Sequence, residues 1–456
     1  MKISRSIFRD YDIRGIYPAE LNEEISEVIG KALGSYIQER NGSKIVVARD
    51  NRPSSLFITE SFIKGILSTG IDVTHVGITL TPVIHFLMCS SEFDAGVVVT
   101  ASHNPKDFNG FRIDLPGAVP FYGSALQKLI PIIEHKAFRQ GEGEYCEKNL
   151  ASAYVSYIVE RFKFTRTLKV VFDCGNGASS EIVPELFGKL NLDIIPTFCS
   201  FDSDFPHGVP DPENPLFLKT LAAAVLENKA DVGIGFDTDG DRFGVVDDKG
   251  QSYGTDQMLM FFAADILRDN HGKSVYYDVK STGALEKFIK DRGGVPHMMQ
   301  TGHPYFAEAK DNMIVAAEFS GHTYFRDKYY GYDDGIYAAC RVLDILDRDG
   351  RKMSDIMKML PKRVNTPELK VPCSDSEKFT IVAGIKARIE KEHDFTKVVD
   401  IDGVRANISD SAWFLIRASN TSPYLSIRME GASDRELEVL RNRVSVLLNE
   451  YNLKLD

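Results

Sequence analysis

The sequence predicts an α/β protein: three similar mixed α/β domains with helix-covered sheets and a smaller α+β C-terminal domain, arranged around one central cleft. Three observations carry this. The chain has 456 residues, more than one hydrophobic core ordinarily supports. Apolar, β-branched runs alternate with helical patterns, and one order of strand, helix, strand, polar loop and returning strand recurs three times. Beyond Pro361 the pattern changes to short strands around Trp413-Phe414-Leu415-Ile416-Arg417 and a charged amphipathic helix over 434–449.

In the first copy a charged lead-in strand, Phe8-Arg9-Asp10-Tyr11-Asp12-Ile13-Arg14-Gly15, precedes a helix over 23–40. Residues 44–50 read as a buried strand, with Asn51-Arg52-Pro53-Ser54 opening the next helix. A strand over 73–77 and a helix after Thr81-Pro82 follow. The run Val97-Val98-Val99 then stops abruptly in Thr100-Ala101-Ser102-His103-Asn104-Pro105. Asn104 and Pro105 break a strand ladder, so Ser102 is expected on a tight loop, displayed rather than packed. Residues 110–113 return.

The second copy runs through strands at 169–177 and 230–236 to a return at 243–246; the third uses 274–283, 313–317 and 323–325. Strands separated by helices form mainly parallel sheets, whose binding loops gather beyond the carboxyl ends of the strands. Loops 101–105, 237–242 and 318–322 are therefore expected to face one cleft. The expected domains are 1–147, 148–250, 251–364 and 365–456.

Composition narrows the function. A formal charge of -11 and pI near 5.5 argue against nucleic-acid and anionic-membrane partners, while local basic pockets for phosphate stay open. Cys89, Cys146, Cys174, Cys199, Cys340 and Cys373 form no CxxC or Cys/His cluster, so neither a disulfide framework nor a structural zinc site is expected. They read as small core residues of a reducing compartment. No apolar leader follows Met1-Lys2-Ile3-Ser4-Arg5 and no run spans a bilayer, so a cytoplasmic location is expected. The sequence carries no signal of oligomeric state.

Asp237-Thr238-Asp239-Gly240-Asp241-Arg242 sets three carboxylates at alternate positions directly after an apolar strand. Crowded carboxylates repel unless a hard cation neutralises them, and oxygen-only ligation suits Mg²⁺ over Zn²⁺; a solvated acidic turn is the alternative. Glycine falls at the wrong position for an EF-hand, and no glutamate closes a twelve-residue loop. Glu318-Phe319-Ser320-Gly321-His322 offers groups suited to sugar hydroxyls, or forms an ordinary polar loop. Arg417-Ala418-Ser419-Asn420-Thr421-Ser422-Pro423 combines a guanidinium with short polar side chains, as a phosphate site or a capped turn does.

In that order, with Phe205-Pro206, Pro210-Asp211-Pro212, Tyr332-Asp333-Asp334-Gly335-Ile336-Tyr337 and Asp402-Gly403-Val404-Arg405, these segments resemble the α-D-phosphohexomutases along the whole chain. The Ala-Ser-Asn-Thr form of the last loop resembles the phosphomannomutase/phosphoglucomutase branch. The resemblance implies a phosphohexomutase that interconverts hexose 1- and 6-phosphates of mannose or glucose. It further implies phosphate carried on Ser102, and Mg²⁺ held by Asp237, Asp239, Asp241 and a phosphoryl oxygen on Ser102. A hexose 1,6-bisphosphate would be the intermediate and activator. The four domains would then be phosphoserine-bearing, Mg²⁺-binding, sugar-binding and phosphate-binding in turn.

A phosphoserine dianion among carboxylates demands converging cations, for which Arg242 leads, with Arg9, Arg14 and His103 as further candidates. By resemblance Glu318 and Ser320 hold ring hydroxyls, and Arg417, Ser419, Asn420 and Thr421 grip the non-reacting phosphate. Tyr11, Lys280, His303 and His322 join the substrate-binding or catalytic set. The general acid/base stays open among His322, His103 and Arg14. Two departures from the family pattern are Arg112 and Ala307, where relatives often carry lysine; arginine at 112 keeps the charge but suits proton transfer poorly. Alternatives within the superfamily are a phosphoglucosamine or phosphopentose mutase. Outside it stand a Mg²⁺-dependent sugar phosphatase with Asp237 as nucleophile and a non-catalytic sugar-phosphate sensor.

Overall fold

The computed structural model describes residues 3–309, 312–392, 394–420 and 422–455. It divides into two units, one made of 1–255 with 320–357 and the other of 256–319 with 358–456. The chain of the third repeat is thus shared between them.

The first sheet contains β1 (Ile13–Ile16), β2 (Lys44–Arg49), β3 (Asp72–Ile78), β4 (Ala95–Val99), β5 (Phe108–Leu115), β6 (Val119–Pro120) and β7 (Tyr145–Glu147). Their order is β1-β5-β4-β2-β3-β7, with β6 beside β5. β2 runs parallel to β3 and β4, whereas β5 returns antiparallel between β4 and β1. Every residue of β4 is buried, as a continuous apolar strand covered on both faces requires. Helices Glu23–Gln38 and Ser55–Leu67 cross at glycines: a Cβ on Gly30 would lie 2.1 Å from Phe62 O, and one on Gly65 2.1 Å from Glu27 O. The Asn22 side chain caps the first of these helices by accepting from Ile25 N.

β8 (Leu168–Asp173), β9 (Leu192–Thr197), β10 (Val232–Phe236), β11 (Phe243–Asp247) and β12 (Ser252–Tyr253) form the second sheet, in the order β12-β11-β10-β8-β9. β10 lies parallel to β8 and antiparallel to β11, so the acidic loop joins a parallel strand to its return. Helix Gly335–Asp349, from the chain's later segment, packs on β10 and β11. Its first residue meets the acidic loop so closely that a Cβ on Gly335 would lie 2.7 Å from Arg242 O. Nearby, Cys174 and Cys199, far apart in sequence, bring their Sγ atoms to 2.8 Å.

In the second unit β13 (Ser274–Asp278) lies parallel between β14 (Val295–Met299) and β15 (Met313–Ala317). β16 (Thr323–Phe325) belongs to the first unit. The C-terminal sheet has β17 (Val364–Asn365), β18 (Leu369–Pro372), β19 (Lys397–Val399), β20 (Val404–Asn407), β21 (Trp413–Ala418) and β22 (Tyr424–Gly431). It is antiparallel, ordered β17-β22-β21-β20-β19 with β18 on β22, and helices Lys378–Ile389 and Asp434–Asn449 cover it. The architecture is the expected one: mixed α/β sheets with a smaller C-terminal domain. Among the described residues no helix is long and apolar enough to cross a membrane.

Two local expectations are corrected. The lead-in strand is confined to Ile13–Ile16, because residues 10–12 bend before pairing with β5 begins. Ser102 is buried at 9% exposure, because partners from residues 237–242 close over it.

Candidate active site

Ser102 follows β4 with φ of +49°, in the left-handed region that non-glycine residues seldom occupy. This turn aims its hydroxyl at the end of β10. Ser102 Oγ donates to Asp237 Oδ2 at 2.9 Å and accepts from Arg242 Nη2 at 2.5 Å. Arg242 also binds Asp237 Oδ2 through Nε and Nη2 at 2.9 and 2.7 Å, while Asp237 Oδ1 accepts from the backbone N–H groups of Gly240 and Arg242. Arg242 is 2% exposed. Burial would lower its pKa, but Asp237, Asp211 and Asp241 more than offset that and hold it charged.

Asp237, Asp239 and Asp241 each present a carboxylate oxygen within 4.8 Å of the others, all buried. Asp239 Oδ2 accepts from Thr81 Oγ1 at 2.8 Å, and Asp241 Oδ2 from Arg112 Nη1 at 2.5 Å. Their Oδ1 atoms are buried without a hydrogen-bond partner among the described residues. Burial, with Asp237 alongside, pushes Asp239 up to about 6, the mark of an anionic site short of positive charge. Three hard oxygens, two of them unbonded, fit a hard divalent cation.

Two imidazoles border this centre. His322 Nδ1 lies 2.8 Å from Asp333 Oδ2, and the backbones of Arg242 and His322 form an isolated bridge. Asp333 in turn accepts from Arg112 Nη2 at 2.9 and 3.1 Å and faces His85 Nε2 at 3.3 Å. His103 Nδ1 lies 3.1 Å from Asp211 Oδ2; burial and Arg242 pull its pKa down to about 4 against the attraction of Asp211. It is therefore neutral near pH 7, with Nδ1–H donating to the carboxylate. Arg14 donates to Asn104 Oδ1 at 2.8 Å and Asp12 Oδ2 at 2.5 Å, which ties β1 to the Ser102 loop. Tyr11 and Ser320 lie half-buried in the same unit.

The other unit holds Lys280, His303, Glu318, Arg417, Ser419 and Asn420; Thr421 lies outside the described residues. Lys280 and Arg417 are both buried and both face carboxylates. Lys280 Nζ lies 3.4 Å from Glu368 Oε2, and Arg417 Nε donates to Asp402 Oδ2 at 2.9 Å. The same Asp402 oxygen accepts from Thr301 N at 2.9 Å, so the loop before His303 is held to Arg417. Burial would raise the Glu368 pKa, but Lys280, Ser426 and Arg417 lower it to about 2. Glu318 is buried; His303 and Asn420 are half-buried.

Sequence reasoning missed the partners that orient these groups: Asp211 on His103, Asp333 on His322 and Arg112, and Glu368 on Lys280. Asp211 and Asp333 lie inside the motifs quoted above, which is the signal that could have singled them out.

Four family profiles match: phosphoglucomutase/phosphomannomutase alpha/beta/alpha domain I over residues 5–140, domain II over 152–250, domain III over 254–364, and the C-terminal domain over 368–445. A Pseudomonas putida phosphomannomutase/phosphoglucomutase is 36% identical over 99% of this chain and 97% of its own. A Neisseria gonorrhoeae phosphoglucomutase is 36% identical over 98% of this chain and 97% of its own. A crystal structure of a Burkholderia thailandensis phosphoglucomutase/phosphomannomutase family protein, 36% identical, superposes with a TM-score of 0.91 over 98% of both chains.

Proposed function

Since the chain belongs to the phosphoglucomutase/phosphomannomutase family, we propose that it interconverts hexose 1- and 6-phosphates of mannose or glucose with Ser102 as the phosphoryl carrier. The chain is a hexose-phosphate mutase. The observation that carries the finer reading is the Ser102 hydroxyl, bonded at once to Asp237 and Arg242 beside an acidic cluster.

In this reading a sugar hydroxyl, O6 of a hexose 1-phosphate, takes the phosphoryl group from Ser102. The phosphorus–oxygen bond to serine breaks as the bond to O6 forms; the O6 hydroxyl proton passes to a protein base, and the departing Ser102 Oγ takes a proton from Asp237. The resulting bisphosphate turns round and returns its other phosphoryl group to Ser102, leaving the 6-phosphate. On that return Asp237 takes the hydroxyl proton back from Ser102 as the phosphorus–oxygen bond to O1 breaks, the base that took the O6 proton gives one to O1, and Arg242 neutralises charge on the moving group. Asp237, Asp239 and Asp241 would hold a Mg²⁺ ion, which supplies Lewis-acid stabilisation of the phosphoryl charge.

His322 and His103 are the proton carriers. His103 is held through Nδ1 by Asp211 and His322 faces Asp333 with Nδ1, so in each Nε2 is the working nitrogen. Arg14, permanently charged and fixed to Asn104, contributes charge rather than proton transfer. We assign Glu318 and Ser320 to ring hydroxyls, Arg417, Ser419 and Asn420 to the non-reacting phosphate, and Tyr11, Lys280 and His303 to further substrate contacts. The assigned location is the cytoplasm.

A phosphatase with Asp237 as nucleophile fits poorly, because both oxygens of that carboxylate are engaged by donors. The test is a panel of sugar 1-phosphates assayed with Mg²⁺ and a catalytic trace of hexose 1,6-bisphosphate. Conversion of the glucose or mannose ester to its 6-phosphate is expected. Steady release of inorganic phosphate without isomer, or tight binding without turnover, would overturn the reading.

A further inference from the structure

Beneath Ser102 lies an arginine that none of these roles uses. Arg52 is buried at 2% exposure. Its Nη2 donates to the carbonyls of Ser102 and Asn104 at 2.5 and 2.7 Å, and Nη1 to those of Pro105 and Phe108 at 2.6 and 3.3 Å. Nε donates to Asp50 Oδ2 at 3.0 Å. The guanidinium's whole set of N–H donors is thereby spent on one turn of chain and one carboxylate.

Asp50 works on the same turn from the other side. Its Oδ2 accepts from Thr100 Oγ1 at 2.8 Å, and Thr100 Oγ1 accepts from Ser102 N at 2.9 Å. Asp50 Oδ1 accepts from Arg52 N at 2.9 Å and from Ser55 Oγ. Both peptide groups of Ser102 are therefore fixed: its N–H through Thr100 and its C=O by Arg52. Those are the two planes that set φ and ψ, and Ser102 sits at a φ of +49° that an L-residue leaves when released.

We propose that Arg52 is a positioning residue for the phosphoryl carrier: it clamps the carbonyls of the 102–108 turn so that Ser102 Oγ stays aimed at Asp237 and Arg242. The proposal rests on the reading of Ser102 as the carrier. Arg52 does not act through its charge, which Asp50 neutralises, but through the geometry of its donors. Lysine keeps the charge but offers a compact head on a flexible stem, which cannot span four carbonyls.

The test uses the full chain with Arg52→Lys, Thr100→Val, Thr100→Ser and Ser102→Ala, each checked for melting temperature. For folded Arg52→Lys, kcat should fall about 100-fold, the order that a misplacement near 1 Å produces. KM for the hexose 1-phosphate should stay within about threefold, since the sugar contacts are untouched. Loading of Ser102 by glucose 1,6-bisphosphate, followed by intact mass, should slow in parallel. Thr100→Val should reproduce the kcat loss and Thr100→Ser should restore it.

Wild-type kcat in Arg52→Lys, a loss confined to KM, or equal losses in Thr100→Val and Thr100→Ser would overturn the proposal. If Arg52→Lys does not fold, Arg52→Ala assayed with and without added guanidinium decides: recovery of kcat on addition is expected, and none would overturn the proposal. Full activity in Ser102→Ala would instead overturn the carrier reading itself, whatever the Arg52 variant does.

Discussion

His85 offers a prediction that follows from buried charge alone. It is 1% exposed, with Nδ1 3.0 Å from Asp114 Oδ2 and Nε2 3.3 Å from Asp333 Oδ1. Burial and Arg112 would strip its proton, but the carboxylates of Asp114 and Asp333 beside it outweigh them and raise its pKa from 6.5 to about 9. The perturbation is therefore a rise in pH. A histidine whose folded pKa is raised stabilises fully below its unfolded pKa and loses that contribution as pH climbs through the folded value. The gap between 6.5 and about 9 corresponds to about 3 kcal/mol, of which about 2 kcal/mol is gone by about pH 8.

The assay is carbon-13 NMR of histidine Cε1, with the His85 signal identified by its absence in His85→Gln, alongside melting of both proteins across the same range. Wild type should keep one histidine protonated at about pH 8, and its melting temperature should fall more steeply with pH than that of His85→Gln. A His85 that titrates near its ordinary value, or parallel melting curves, would show that the two carboxylates do not hold its proton. Function follows stability here. Once His85 is neutral, Asp333 loses one of the groups that hold it against His322 and Arg112.

Further outcomes follow from the same geometry. Arg242→Met should lower kcat by about 10² to 10³, the usual cost of removing a donor that stabilises developing charge; steady-state kinetics checks this. The variant should also destabilise the fold by about 3 to 5 kcal/mol, because Asp237 is left buried and unpaired. Mg²⁺ at about 100 times its Kd should stabilise the wild-type chain by about 2.7 kcal/mol. Asp239→Asn should lose most of that gain, and chelation should abolish it in the wild type, both read by melting. Gly177→Ala places a Cβ 2.8 Å from Thr238 O and 2.9 Å from its Cα, so it should cost about 1 to 3 kcal/mol of stability and lower kcat by displacing the acidic loop.

Much of this architecture is written locally in the chain. The acidic loop was legible because an unbroken apolar strand, Val232–Phe236, runs straight into alternating carboxylates. The last helix was legible because Ser433 caps it and Leu440, Val444 and Leu448 repeat at helical spacing. What spacing cannot encode is which distant segments meet. The burial of Ser102 comes from residues some 135 positions later, and Arg112 reaches Asp333 across 221 positions. The partition of 320–357 to the first unit is equally non-local; it depends on Gly335 seating a helix against the acidic loop. In sequence Arg52 is no more than part of a helix-opening loop, because its acceptors are backbone carbonyls, which leave no trace in side-chain composition.

Whether Ser102 carries the phosphoryl group is read from its phosphorylation state during turnover, by intact mass and peptide mapping of active enzyme before and after addition of a hexose monophosphate. A single phosphoryl group is expected on Ser102 in the resting enzyme, surrendered to the sugar in stoichiometric amount when bisphosphate is withheld. Active enzyme with no phosphate at Ser102, or a phosphate that stays in place while sugar phosphates interconvert, would contradict it.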